Sequence, residues 1–185
     1  MRSIPIATFL RGLVLVSAGL AWAFAAQGAG DKGAYERAKA SAKSSYEAAV
    51  KRCDAMTGNA RDICVAEANE ARTKTEAHAE AAYQDTPKAR ARAAEQVAEA
   101  RYKVERERCD ERAGNDKDVC IKVARAGLTR AKADAKAKLK STEARDDAAK
   151  EKREADYGVA LEKCQALSGD AKSACVQQAK ARYGM

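Results

Sequence analysis

Large apolar side chains are scarce in this chain. Aromatic residues are 5% of its 185 residues, with one Trp, two Phe and six Tyr. No broad aromatic core can be built from so few. Histidine is also nearly missing, and His78 is the only one. A catalytic His needs a nucleophile or an orienting carboxylate within reach. None is signalled around His78, which falls at helical spacing opposite Lys39, so a structural role is expected for it. Proline occurs twice, at Pro5 and Pro87, so little interrupts a long helix. There is no Gly-rich phosphate loop, no Gly-x-Ser-x-Gly and no Cys-x-x-Cys. Those absences remove the usual sequence signals of nucleotide binding, of an α/β-hydrolase and of thioredoxin-like redox chemistry.

What is present is a cysteine motif that occurs three times. The segments run Cys53 to Cys64, Cys109 to Cys120 and Cys164 to Cys175, each enclosing ten residues. A Gly stands five residues after each first Cys, at Gly58, Gly114 and Gly169. A Tyr stands seven residues before it, at Tyr46, Tyr102 and Tyr157. The period is 56 residues and then 55, and all six cysteines belong to the pattern. Structural zinc sites use closer ligands, often with His, so neither a metal nor a cofactor is expected. Paired bridges in an oxidising compartment fit an even cysteine count at fixed spacing.

The N-terminus reads as an export signal. Arg2 and Arg11 are basic, Gly12 to Leu20 is a short apolar run, and Ala23-Phe24-Ala25 is a small-x-small cleavage site. Residues 1–26 are therefore assigned to a leader, and the expected home is periplasmic or secreted. The run is short for a span of about 20 residues, and no later stretch is apolar enough to cross a bilayer, so no transmembrane segment is expected in the mature chain. The net charge is +8, and loss of Arg2 and Arg11 leaves 33 basic against 27 acidic residues, or about +6. The signs are interspersed, as on a solvated helix surface. A basic excess would draw the protein to anionic surfaces. The Lys/Ala run at residues 130–140 is similar to the tails of linker-histone-like proteins, but no aromatic platform accompanies it and export separates it from the chromosome. No specific nucleic-acid partner is expected.

Ala, Lys, Glu and Arg are strong helix formers. In the first unit Tyr35, Ala38, Ala42, Tyr46, Ala49, Cys53 and Met56 recur at steps of three and four, the signature of one helix face. Gly58 falls where that helix should stop, with Asn59 as the next N-cap. Cys64, Ala68, Ala71, Thr75, His78 and Ala82 continue the spacing. Facing residues of an antiparallel hairpin have a constant numerical sum. That rule pairs Cys53 with Cys64, Tyr46 with Ala71, Ala42 with Thr75 and Tyr35 with Ala82; later it pairs Tyr102 with Gly127 and Tyr157 with Arg182. The predicted bridges are Cys53–Cys64, Cys109–Cys120 and Cys164–Cys175, each stapling a hairpin tip within disulfide reach.

The expected fold is all-α: three repeated, disulfide-stapled antiparallel helical hairpins, about six helices, in an elongated or coiled-coil-like array. The helices are expected near 31–57, 60–84, 87–113, 116–140, 142–167 and 170–183. The hairpin units are 27–86, 87–141 and a truncated 142–185. Asp85-Thr86-Pro87 is a cap followed by Pro at the first helical position. Ser141-Thr142-Glu143 is the equivalent cap one period later; it lacks Pro, so the helices on either side can fuse into one rod.

The segments AEAAYQ, RAKADAKAKLK and EARDDAAKEKREA resemble the long helical middle domain of the envelope protein family of TolA. The chain is also similar to exported Ala/Lys-rich proteins described as TolA-like. The Cys-paired hairpins depart from that domain, and mitochondrial twin Cys-x9-Cys hairpin proteins are an analogy in stapling alone. The resemblance implies a non-enzymatic envelope protein with a structural, scaffolding or protein-binding role, its partners being envelope proteins or anionic envelope polymers. Two alternatives are a periplasmic holdase and a thiol-redox or metal-binding protein.

Overall fold

The computed structural model describes residues 30–185. The leader assigned to residues 1–26 lies outside the described residues. Helices make up 89% of what is described, with no strand. There are five: α1 (Lys32–Cys53), α2 (Gly58–Gln84), α3 (Pro87–Cys109), α4 (Gly114–Gln165) and α5 (Gly169–Tyr183). Among the described residues no helix is long and apolar enough to cross a membrane.

Each helix touches only its neighbours in the chain: α1 with α2, α2 with α3, α3 with α4, and α4 with α5. Successive helices run antiparallel. Near one end of the α2–α3 seam Arg108 reaches Glu67 at 2.6 Å, and near the other Arg92 reaches Gln84 at 2.8 Å. The result is a single layer, four helices wide at one end, and not a closed bundle. Composition explains it. Among the described residues, ten of the fourteen buried apolar ones are Ala, three are Cys and one is Val104. A buried methyl contributes only about 0.8 kcal/mol, so no second layer of helices can be held by such a core. Among the described residues no polar or charged side chain is buried as a whole.

The expected sixth helix does not exist. The cap assigned to Ser141-Thr142-Glu143 lies inside α4, which is 52 residues long, or about 78 Å at 1.5 Å per residue. The Thr142 hydroxyl donates to the carbonyl of Lys138 at 2.9 Å instead of capping a new helix. The contrast with the first junction is local. There Asp85 adopts the left-handed conformation at φ 44°, Thr86 accepts from the Ala89 amide at 3.0 Å, and Pro87 occupies the first turn. The second junction has no Pro and is one residue shorter, with 43 residues from Cys120 to Cys164 against 44 from Cys64 to Cys109. Nothing stops the helix, and the expected boundary at 141/142 is not a break.

The tips also differ from expectation. Asn59 is not an N-cap. α1 ends at Cys53, four residues turn, and Gly58 opens α2 with φ +57°. Gly114 and Gly169 do the same at φ +53° and +58°. The glycine is required by its left-handed backbone, at the head of the second helix and not at the end of the first.

A substitution pair checks this. At Gly114 a Cβ would meet nothing within 4 Å, so the backbone alone is penalised. Gly114→Ala is expected to lower stability by about 1 kcal/mol. Gly127, inside α4 with equally open surroundings, is expected to gain about 0.5–1 kcal/mol as Ala. Urea unfolding of both variants measures the two signs; equal signs would show that the tip conformation is wrong.

Candidate functional site

The three tips are built alike. Cys53 and Cys109 end α1 and α3, and Cys164 stands one residue before the end of α4. Each is essentially inaccessible, at 0%, 0% and 1% exposure. The carbonyl of each first Cys accepts an amide three residues on: Met56 at 2.9 Å, Arg112 at 3.1 Å and Leu167 at 3.1 Å. The structure joins Cys53 to Cys64, Cys109 to Cys120 and Cys164 to Cys175, with Cα separations of 5.7, 5.6 and 5.7 Å. No free cysteine remains.

A second element of the tip went unread in the sequence. Arg61 reaches Asp54 at 3.0 Å, Lys117 reaches Asp110 at 2.8 Å and Lys172 reaches Gln165 at 2.6 Å. These are equivalent positions. A basic residue three before the second Cys spans the turn to the residue after the first Cys. The Lys117 ammonium holds the Asp110 carboxyl below its ordinary range. The signal was available, because both positions repeat with the motif.

The facing stripe of α2 is turned from the expected one. Ala71, Thr75, His78 and Ala82 are exposed. Tyr35 stacks on Tyr83 with centroids 5.1 Å apart, not on Ala82, and the Arg72 guanidinium lies 5.4 Å from the Tyr46 ring. Tyr157 likewise meets Tyr183 at 6.2 Å and not Arg182. The constant sum holds at the staples and slips by one residue along the pair. α2 must serve α1 and α3 at once, and Ala77 and Ala81 on its other side bury against Ala89 and Ala93.

The Tyr rings reveal how the units differ. Tyr46, Tyr102 and Tyr157 are equivalent, and so are the residues opposite them, Arg72, Leu128 and Tyr183. In the first unit Arg72 covers the ring and is held by Glu76 at 2.8 Å. In the third, Tyr183 covers it. In the second, Gly127 and Leu128 leave Tyr102 lining an open groove of about 590 Å³ between α3 and α4. The expected pair Tyr102 and Gly127 is brought together there. Val119 and Val123 edge the groove at 48% and 62% exposure, with Arg101, Arg112, Arg130, Glu105 and Asp134 around it. An apolar floor with charged rims suits a side chain or helix of another protein.

At the other end of the layer the Tyr35 hydroxyl and the Glu80 carboxylate are neighbours. The proximity of Tyr35, aided by the Gln84 amide, holds Glu80 below its ordinary range, and Glu80 in turn raises Tyr35. His78 is exposed, and among the described residues no three His, Cys, Asp or Glu side chains converge as a metal-ligand set. The Lys/Ala run of residues 130–140 is largely solvent-facing, with Lys132 paired to Glu99 at 2.5 Å.

No family model matches the chain, and no curated protein or solved structure shows significant similarity to it.

Two outcomes test the site description. A carboxylate held low in the fold adds stability above its unfolded pKa and loses it as pH falls through the folded one. Glu80→Gln is therefore expected to flatten the loss of urea stability on acidification below the ordinary carboxylate range; an unchanged acid limb would count against the Tyr35–Glu80 contact. Secondly, α5 has 15 residues and packs on α4 alone, a length marginal for an isolated helix. Replacing Cys164 and Cys175 by Ala is expected to remove about 3 kcal/mol of tip stabilisation. Amide exchange should then rise across 169–183 and stay unchanged in α2 and α3. Uniform change through the chain would contradict the single-layer architecture.

Proposed function

We propose that this chain is an exported, non-enzymatic scaffold of the bacterial envelope, three stapled hairpin units that present partner-binding surface along a stiff helical layer. The observation that carries the reading is the single layer itself, in which each helix contacts only its chain neighbours and keeps two solvent faces. Architectures of this kind supply extended binding surface. Three disulfides and no free thiol fit an oxidising compartment, whether periplasmic or extracellular. The leader-like N-terminus and the likeness of the helices to TolA-like proteins support the envelope. The α3–α4 groove is the favoured contact for an envelope protein, with its exposed valines between charged rims. The interspersed basic surface suits anionic envelope polymers in second place.

A holdase role is the second reading, favoured by the exposure of Val119, Val123 and Val159. The two differ in selectivity. Whole biotinylated protein, exposed to envelope extract, is expected to retain a small defined protein set that Val123→Asp loses. Stoichiometric suppression of thermal aggregation in an unrelated client, with no defined set retained, would replace the scaffold reading by the holdase one.

A further inference from the structure

The first junction between units folds back, and the second runs straight. That difference leaves two surfaces of α4 without the partner that their repeat equivalents have. In α2, Ala77 and Ala81 are buried against Ala89 and Ala93 of α3. One period later the α2 positions become Ala133 and Ala137, and the α3 positions become Ala144 and Ala148. All four are exposed. Val104, on the α3 side of that seam, is 1% exposed; its equivalent Val159 is 57% exposed. The seam is encoded twice and closed once.

Both orphaned surfaces lie on one side of α4. At 100° per residue, Ala133, Ala137, Ala144 and Ala148 share a face. The opposite face carries Cys120, Ala124 and Ala135 towards α3, and Tyr157 and Cys164 towards α5. The straight helix therefore cannot close the seam on itself, but a second copy can close it.

We propose that two copies of this chain pair along α4, antiparallel about a two-fold axis midway between Lys140 and Asp147. The C-terminal half of α4 from one protomer takes the place on its partner's N-terminal half that α3 takes on α2. This is an exchange of equivalent elements through a straightened hinge, and it forms the same seam twice in a closed, self-complementary dimer. Charge supports the orientation. Residues 122–140 hold seven basic side chains and one acidic, while residues 143–156 hold six acidic and four basic. Antiparallel pairing opposes these halves. The Gln84–Arg92 contact of the internal seam, at 2.8 Å, becomes Lys140 facing Asp147 across the axis. This assembly stands independently of the scaffold reading.

Sedimentation equilibrium of the whole mature protein, from about 1 to 100 µM, is the test, because that range brackets micromolar association. A dimer is expected. Zero-length carbodiimide coupling of mixed 15N-labelled and unlabelled chains should join Lys140 of one isotope to Asp147 of the other. Val159→Glu should weaken dimerisation about tenfold or more, since each dimer contains the position twice. Replacing Lys140 by Gln, Ser141 by Asp and Glu143 by Pro, with one Lys inserted after position 143 to restore the missing residue, copies the folding junction, and should give a monomer of unchanged helix content. A monomeric wild type throughout the range overturns the proposal. So does a dimer whose mixed-isotope links avoid residues 140–147, or one indifferent to Val159→Glu.

Discussion

The structure depends on one constraint: helix pairs made of alanine hold too little apolar area to stand unaided. Ala–Ala seams permit close approach, yet each methyl contributes on the order of 1 kcal/mol or less. The covalent tip answers that weakness at the place where a hairpin is entropically most expensive to start. By closing each turn, the staples at Cys53–Cys64, Cys109–Cys120 and Cys164–Cys175 shrink the unfolded ensemble, so the seams need only hold the register that the tip has set. The repeated Arg61–Asp54 and Lys117–Asp110 bridges sit over the same turns. Exposed pairs of this kind add little energy. Their repetition marks the tip as one unit of structure, copied whole.

Much of the fold was legible because it is local. Helix composition and the Pro87 junction are read from short stretches, and α2 and α3 meet where their residues dictate, although α3 stops at Cys109 and the tip glycines open the following helices. What escaped was non-local. The sum rule assumes two straight helices that serve only each other, whereas α2 is gripped on both sides, by Tyr35 and Tyr46 from α1 and by Ala89 and Ala93 from α3. The stripe therefore turned, and Tyr83 and Arg72 replaced Ala82 and Ala71. The sixth helix was lost for a different reason. Ser-Thr-Glu is a competent cap only when something halts the preceding helix, and at Thr142 nothing does. The pairing of Tyr102 with Gly127 was visible in sequence, but not the groove beside them, whose openness depends on Leu128 standing where Arg72 stands in the first unit.

That last comparison bears on function. Three copies of a tip surround three different fillings. Arg72 and Tyr183 close their units, and Leu128 leaves its own open. Repetition supplies the frame, and single positions decide which unit presents a surface.

The staples have a mechanical meaning as well. A chain pulled from its two ends would lose its seams one by one, since each helix is held only by its neighbours. The residues between paired cysteines would remain out of reach of the force. Each closed tip withholds about 35 Å of extended chain at 3.3–3.6 Å per residue, so the three together withhold about 100 Å. Under load the protein behaves as a tether whose slack is fixed in advance by covalent stops, and whose length is set by chemistry in the compartment around it: reducing conditions would lengthen it, oxidising conditions keep it short.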